Sequence, residues 1–159
     1  IVGGGNFQAR LMEDIRKKRG LTYGIYSSTT PMLAQGSYTI SFSTRNQKSQ
    51  EAIEATKQVI KNTLEKGVTP NELALTKDSL INSFPTSFAS NAAMNATIGM
   101  MGFYQLPDSY LTDYVTRVQR ADLTAVNQSY KDLIDPNKFL IVTVGNATPN
   151  TTTATKIAK

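Results

Sequence analysis

The side chains that most often carry enzyme chemistry are largely absent from this chain. Its 159 residues include no His and no Cys. An imidazole general base, a thiol nucleophile, a disulfide and a Cys/His zinc site are therefore excluded. Ser and Thr are common, but a hydroxyl nucleophile needs a base, and Ser–Lys pairs cannot be recognised from one sequence. If the chain takes part in a reaction, we expect another segment or subunit to supply the reacting groups.

The carboxylates and glycines are weak candidates for a site. The acidic residues form short pairs that solvated helix faces or turns explain: Glu13/Asp14, Glu51/Glu54 and Asp132/Asp135. The glycine run at residues 3–5 precedes a predicted helix, where free N–H groups can cradle a phosphate. It lacks the G-x-x-x-x-G-K and G-x-G-x-x-G patterns. We interpret it instead as a place where two backbones pass closely.

The charge distribution favours neither a nucleic acid nor a membrane as partner. The net charge of +5 and the pI near 9.5 are compatible with either. The basic residues are spread out, however, and the densest run, at 16–19, directly follows Glu13 and Asp14. A solvated helix end explains this run, because cations are favoured at a helix C-terminus. No apolar run approaches the roughly 20 residues of a membrane span. We predict no nucleic-acid partner and no membrane span.

Hydrophobic periodicity predicts a helix followed by a hairpin. Phe7, Leu11 and Ile15 share one apolar face of a helix over 6–19, with Asn6 as N-cap and Gly20 as its left-handed stop. Alternating residues predict strands over 21–29 and 37–44, joined by a turn at 31–36. In the first strand, the alternation puts Leu21, Tyr23 and Ile25 on one face.

Several helices and one apolar run follow. We predict helices over 47–66, 70–84, 91–104, 109–119 and 123–133. Gly67 ends the first, Thr69 and Glu72 form a capping box for the second, and Pro85 ends or kinks that helix. The apolar run 139–145 predicts a strand at the centre of a sheet.

The order of elements predicts an α+β fold, with helices packed on one face of an antiparallel sheet. Three strands make a thin sheet for six helices, and the chain opens Ile1-Val2-Gly3 without an initiator Met. We therefore interpret it as an N-terminally truncated domain over 1–145 that lacks opening strands, followed by a flexible Thr-rich tail over 146–159.

One segment carries a specific resemblance. Residues 10–27 read RLMEDIRKKRGLTYGIYS, after a Gly-rich lead. This resembles the signature of the second, non-zinc-binding half of pitrilysin/insulinase-type zinc metallopeptidases, which include mitochondrial processing peptidase and its bacterial relatives. Residues 106–111 (LPDSYL) and 135–138 (DPNK) resemble two later motifs of the same family, so the likeness covers about residues 1–145.

The resemblance implies two site residues. The family has an Arg on the helix and, seven positions later, a Tyr on the following strand, which match Arg16 and Tyr23. In the closed enzyme they reach across the chamber to the zinc site, where they assist the scissile carbonyl and its oxyanion. A preorganised donor and a fixed positive charge suit that task. The alternative makes Arg16 a solvated charge and Tyr23 a half-buried strand aromatic.

The resemblance also implies what this chain lacks. The zinc motif of the family, H-x-x-E-H, needs two His, so this chain has no metal or cofactor of its own and the zinc belongs to a partner catalytic domain or subunit. The implied function is that of a substrate-binding, chamber-closing domain of a zinc metalloendopeptidase that is inactive alone. The alternative is a non-catalytic structural or assembly subunit of the same fold.

The implied partners follow from this role. We expect a peptide or unfolded protein as substrate, bound at a sheet edge of the hairpin. Because missing strands would leave edges and apolar helix faces uncovered, we also expect the chain to form a homodimer. The compartment is not fixed by the sequence; a periplasmic location follows family habit.

Overall fold

The fold is built on one hairpin and the helices packed against it. In the computed structural model, residues 1–4, 7–34 and 36–145 are described. A π-helix (Met12–Lys18) leads into the antiparallel strands β1 (Thr22–Thr30) and β2 (Ser37–Thr44). Five α-helices follow: α1 (Ser49–Lys66), α2 (Pro70–Ser83), α3 (Asn91–Phe103), α4 (Tyr114–Arg120) and α5 (Leu123–Leu133). The predicted α+β class is confirmed.

Several boundaries lie where local sequence signals put them. The Thr69 side chain accepts from the Glu72 N–H, and the Glu72 carboxylate accepts from the Thr69 N–H at 2.7 Å, so the capping box of α2 is present. Gly20 (φ +60°) and Gly67 (φ +70°) adopt left-handed backbone at the ends of their helices. Pro85 lies in a short 3₁₀ turn that ends α2. The proposed N-cap Asn6 and the tail 146–159 lie outside the described residues.

The core lies between the hairpin, the π-helix and α1. These three elements contribute the largest fully buried side chains, which are Leu11, Ile15, Ile25, Ile60 and Thr63. No described residue of α2, α3 or α4 is buried, and these helices expose apolar side chains, including Ile98 and Phe103. They form an outer layer that reaches the hairpin turn, where the Tyr104 hydroxyl donates to the Pro31 carbonyl at 3.0 Å. None of the described helices combines the length and apolarity needed to cross a bilayer.

An ion pair links the start of the first helix to α2 in the outer layer of helices. The Arg10 guanidinium donates to both carboxylate oxygens of Glu72, at 2.6 and 2.7 Å, and to the Gly67 carbonyl at 2.8 Å. Both side chains are largely buried, with exposed fractions of 21% and 26%. The guanidinium and the Thr69 donors hold the pKa of Glu72 down at about 2. Since Glu72 also caps α2, one carboxylate stabilises a helix start and a long-range contact.

The segment before the helix packs directly against β1. The Gly3 carbonyl accepts from the Ser27 N–H at 2.7 Å. A Cβ on Gly3 would lie 2.7 Å from the Ser27 nitrogen, a distance that no side chain tolerates. The close approach of two backbones expected for the glycine run is therefore present at Gly3.

Two predictions from periodicity are wrong. Phe7 does not share the buried face of Leu11 and Ile15: it is 59% exposed, because the regular helix begins only at Arg10. The run 139–145 forms no strand and pairs with no described strand, and Leu140, Val142 and Val144 are 86%, 76% and 98% exposed. A central strand needs hydrogen-bonded neighbours on both edges, and the described residues supply neither.

Candidate functional site

Tyr23 lies on a β-bulge at the start of β1. The strand pairing steps from Thr22 opposite Thr44 to Ile25 opposite Phe42, so two residues of β1 face one residue of β2. The bulge breaks the alternation that the sequence predicts. Ile25 is buried as expected, but Tyr23 turns to solvent and is 89% exposed. The prediction that these two side chains share a face is wrong, and Tyr23 is not a half-buried core aromatic.

Hydrogen bonds of Thr22 hold the bulge in place. Its hydroxyl lies 2.6 Å from the Ser43 carbonyl and 2.8 Å from the Gly24 carbonyl, and it accepts from the Gly24 N–H at 3.2 Å. The side chain is 9% exposed, so these contacts are shielded from water. The bulge was not predicted from the sequence, although an isolated glycine inside a strand, here Gly24, is typical of one.

Arg16 projects from the π-helix toward two aromatic rings. Its Cζ atom lies 4.8 Å from the ring centroid of Phe7 and 5.1 Å from that of Tyr23. These distances are typical of cation–π contacts. The two residues singled out by the family resemblance are therefore neighbours on one exposed edge, and Phe7 is a third member that the sequence did not reveal.

Within the basic run 16–19, Arg16 differs from Lys17 and Arg19 in that it forms no ion pair with a described residue. Lys17 binds Glu13 at 2.7 Å, and Arg19 binds Asp14 at 2.5 Å. The hydrogen bond from Lys17 keeps the pKa of Glu13 below its usual value. Among the residues that the structure describes, no oxygen accepts a hydrogen bond from the Arg16 guanidinium. Its N–H groups are thus available to an oxygen-bearing ligand, whereas Lys17 and Arg19 are already paired with carboxylates.

A shallow surface pocket adjoins Tyr23. It has a volume of about 360 Å³ and is lined by 20–23 and 43–45, so Tyr23 and Arg45 both contribute to its wall. Arg45 had no sequence signal, because it comes into the site only through the pairing of β1 with β2. The depression is thus bordered by the Tyr23 phenol and the Arg45 guanidinium, and Arg16 lies on the Tyr23 ring. Such groups suit carbonyl, carboxylate or oxyanion ligands.

The described residues hold no group of three or more His, Asp, Glu or Cys side chains that could bind a metal ion. The donors of the site are all hydrogen-bond or cationic groups. Such groups can orient a substrate and stabilise negative charge, but they do not supply a nucleophile or activate water in the way that a metal does.

A second feature lies along β2. A groove of about 820 Å³ is lined by Ser37–Thr44 on one side and by 138–145 on the other. Of the described strands, only β1 pairs with β2, so the other edge of β2 faces this groove. The groove offers backbone donors and acceptors on β2 together with apolar side chains such as Ile40, Phe42 and Leu140.

Comparison with known proteins establishes the class of this domain. Residues 1–80 match the family model described as the Peptidase M16 inactive domain. A solved structure of a peptidase M16 inactive domain from Pseudomonas fluorescens is 40% identical and superposes with a TM-score of 0.79, over 87% of this chain and 33% of that one. The chain belongs to the peptidase M16 inactive-domain family, and its fold is that of an M16 C-terminal domain.

Two curated relatives are more distant. The Non-peptidase homolog YmxG of Helicobacter pylori is 28% identical over 151 residues, which cover 92% of this chain and 34% of that protein. The Uncharacterized zinc protease YmxG of Bacillus subtilis is 25% identical over 126 residues, which cover 79% and 31%. The chain thus spans about a third of the length of the relatives it matches.

Proposed function

We propose that this chain is the substrate-binding, chamber-closing domain of a zinc-dependent metalloendopeptidase whose catalytic half holds the zinc. The observation that carries the proposal is the juxtaposition of Arg16 and Tyr23. Both lie on one edge of the domain, where Arg16 is partly buried and Tyr23 is exposed, and the Arg16 Cζ atom is 5.1 Å from the Tyr23 ring centroid. No oxygen of the described residues accepts a hydrogen bond from the guanidinium. The bulge and the π-helix that create this arrangement are irregular elements, which recur beside functional sites.

The chemistry assigned to each group follows from its donors. The Tyr23 hydroxyl is a single neutral donor suited to the oxygen that becomes negative when water attacks the scissile carbonyl. The Arg16 guanidinium carries several N–H groups in a planar fork, so it binds substrate oxygens and favours the same negative charge. Both contributions grow when a partner domain excludes water from the edge.

The groove beside β2 is suited to substrate binding, which is the second part of the proposed function. A peptide in extended conformation can add to a free strand edge through its backbone, while alternate side chains enter pockets. The edge of β2 facing the groove has these properties. We propose that the substrate is a peptide or an unfolded protein bound in this way.

The zinc in this proposal is held by a partner. Cys and His ligands are absent from the sequence, so an H-x-x-E-H motif must come from another domain or subunit. The relatives are about three times as long as the matched region, which leaves room for such a domain in the same polypeptide. A periplasmic location, as for a bacterial exported protease, is part of the same proposal.

Peptide hydrolysis by the chain alone, and by the chain combined with its zinc-binding half, tests this function. The chain alone is expected to hydrolyse no peptide in a zinc-dependent manner, because it lacks the ligands that would hold the metal. Addition of the H-x-x-E-H half, encoded upstream in the same gene or in the adjacent gene, is expected to give hydrolysis that a chelator abolishes. The measurement is cleavage of a quenched fluorescent peptide. A chelator-sensitive rate from the purified chain alone would contradict the proposal, as would an undiminished rate from the zinc half without this chain.

A second candidate is a non-catalytic structural or assembly subunit with the same fold. The name of the H. pylori relative, a non-peptidase homolog, favours this candidate. The two functions differ in what they require of the exposed edge. An assembly subunit tolerates loss of the Tyr23 hydroxyl, whereas the proposed peptidase does not. An H-x-x-E-H motif in the parent or adjacent gene favours the peptidase.

We also propose that the chain self-associates. Another copy can cover three surfaces: the unpaired segment 139–145, the free edge of β2 and the uncovered faces of α2 to α4. Light scattering of the purified chain is expected to give a mass that rises with concentration toward that of a dimer. A monomer mass at high concentration contradicts this prediction.

A matched pair of variants locates the contact. Val142 and Leu33 are both 76% exposed, but only Val142 lines the groove. Val142→Lys is expected to shift the chain toward monomer, because a charge in a strand-pairing surface opposes association. Leu33→Lys, which changes the hairpin loop, is expected to leave the mass unchanged.

A further inference from the structure

Phe7 occupies a position that burial does not explain. Phe7, Leu11 and Ile15 are spaced four residues apart, which predicts that all three are core residues. Leu11 and Ile15 are fully buried, but Phe7 is 59% exposed. The ring is instead within 4.8 Å of the Arg16 Cζ atom. A single exposed apolar side chain is ordinary, so the contact of the ring with a cation from another element, rather than its exposure, is the feature to be explained.

The contact changes what Arg16 can do. A ring face attracts the guanidinium without using any of its N–H donors. A salt bridge would have used those donors, as happens for Lys17 and Arg19 with the acidic residues of the same helix. An arginine restrained by rings also has fewer side-chain conformations to lose when it binds a ligand.

We infer that Phe7 is a positioning residue for Arg16. Its ring, together with that of Tyr23, restrains the guanidinium beside the bulge with the N–H groups open to a carbonyl or carboxylate oxygen. Phe7 does not itself touch the reacting atoms. The restraint of Arg16 is a property of this chain alone, and only its effect on substrate binding rests on the proposed function.

NMR spectroscopy of the isolated chain tests the restraint without any activity. A proton held against an aromatic ring face resonates upfield of its position in water. The Arg16 Nε–Hε signal, assigned by its loss in Arg16→Lys, is expected upfield in the unmodified chain. It is expected to move downfield in Phe7→Leu, which keeps an apolar side chain but removes the ring, and to return in Phe7→Tyr. Phe103→Leu is the control, because Phe103 is similarly exposed at 64% but lies on α3.

An Arg16 signal that is the same in Phe7→Leu as in the unmodified chain overturns the inference. A signal that moves equally in Phe103→Leu overturns it too, since the change then reports a general loosening of the fold.

Steady-state kinetics of the chain combined with the zinc-binding half test whether Phe7 also affects substrate binding. Phe7→Leu is expected to raise KM by about 2- to 5-fold with kcat nearly unchanged, which is the effect of one exposed cation–π contact. Rescue by Phe7→Tyr supports the inference. If Arg16→Ala raises KM but Phe7→Leu does not, Phe7 has no positioning role. If neither Arg16→Ala nor Tyr23→Phe alters the kinetics, the proposed function fails, and the NMR result alone decides whether Phe7 restrains Arg16.

Discussion

Replacement of Tyr23 by Phe is expected to lower kcat for peptide hydrolysis by about 10²- to 10³-fold, the usual cost of removing one oxyanion donor. KM is expected to stay nearly constant, because the hydroxyl binds an oxygen whose charge develops only in the transition state. The ring remains in the variant, so the cation–π contact with Arg16 is retained. Steady-state kinetics of the chain combined with its zinc half measure both constants.

Tyr26→Phe provides a matched control for this experiment. Tyr26 lies three residues further along β1 and is also solvent-exposed, at 52%, but has no contact with Arg16. Its replacement is expected to leave kcat and KM unchanged. A Tyr23→Phe enzyme with normal kcat would remove Tyr23 from the mechanism and favour the structural subunit instead.

The second large effect concerns stability and the ion pair between Arg10 and Glu72. Glu72→Gln is expected to lower the free energy of unfolding by about 2–3 kcal/mol at neutral pH, since the carboxylate has a pKa of about 2 in the folded chain. Arg10→Met is expected to cost a similar amount, because it leaves a mostly buried carboxylate without its cation. Urea unfolding followed by circular dichroism measures both, and the double variant gives the coupling energy.

The same pair predicts the acid response of the fold. The pKa of Glu72 is lower in the folded chain than in the unfolded chain, where it is near 4.5, so the unfolded chain binds the extra proton first. The contribution of Glu72 is therefore complete above about pH 4.5 and is lost as the pH falls toward 2. Glu72→Gln is expected to show a flatter loss of stability across this window.

Glu51→Gln is the control for both stability experiments. Glu51 also binds a cation, Lys48, at 2.7 Å, but both side chains are about half exposed. Exposed pairs contribute little, so the unfolding midpoint is expected to be unchanged. If Glu51→Gln and Glu72→Gln unfold alike, or if the acid response of Glu72→Gln matches that of the unmodified chain, the long-range pair is not a major source of stability.

Features that depend on neighbouring residues were predictable from the sequence. The capping box at Thr69 and Glu72 needs two side chains three positions apart. The helix ends at Gly20 and Gly67 need only a residue that tolerates positive φ. The hairpin follows from two alternating runs separated by a short turn. In each case the stabilising contact lies within a few positions of the signal.

Features that depend on distant residues were not predictable in the same way. Arg10 and Glu72 are 62 positions apart, and no local pattern connects them. The run 139–145 has the composition of a central strand, but composition does not say whether partner strands lie beside it. Period-2 alternation put Tyr23 on the buried face, because alternation takes no account of a bulge.

The candidate site shows the same division. Arg16 and Tyr23 were singled out by a family motif, not by their periodicity, which on its own favours a solvated charge and a strand aromatic. The structure places the two side chains together, while their catalytic role stays a prediction. Phe7 and Arg45 join the site through chain geometry and were missed.

The winding of the first helix has a consequence for how the family can vary in length. In the π-helix, the Arg19 N–H bonds to the Asp14 carbonyl five residues earlier, so each turn holds one residue more than an α-helical turn. Deleting one residue between Arg16 and Gly20 would let the segment return to α winding, but the connection from the guanidinium to the phenol would be one residue shorter. A change of length between Arg16 and Tyr23 is therefore expected to separate the guanidinium from the phenol, whereas the same change in the hairpin turn is not.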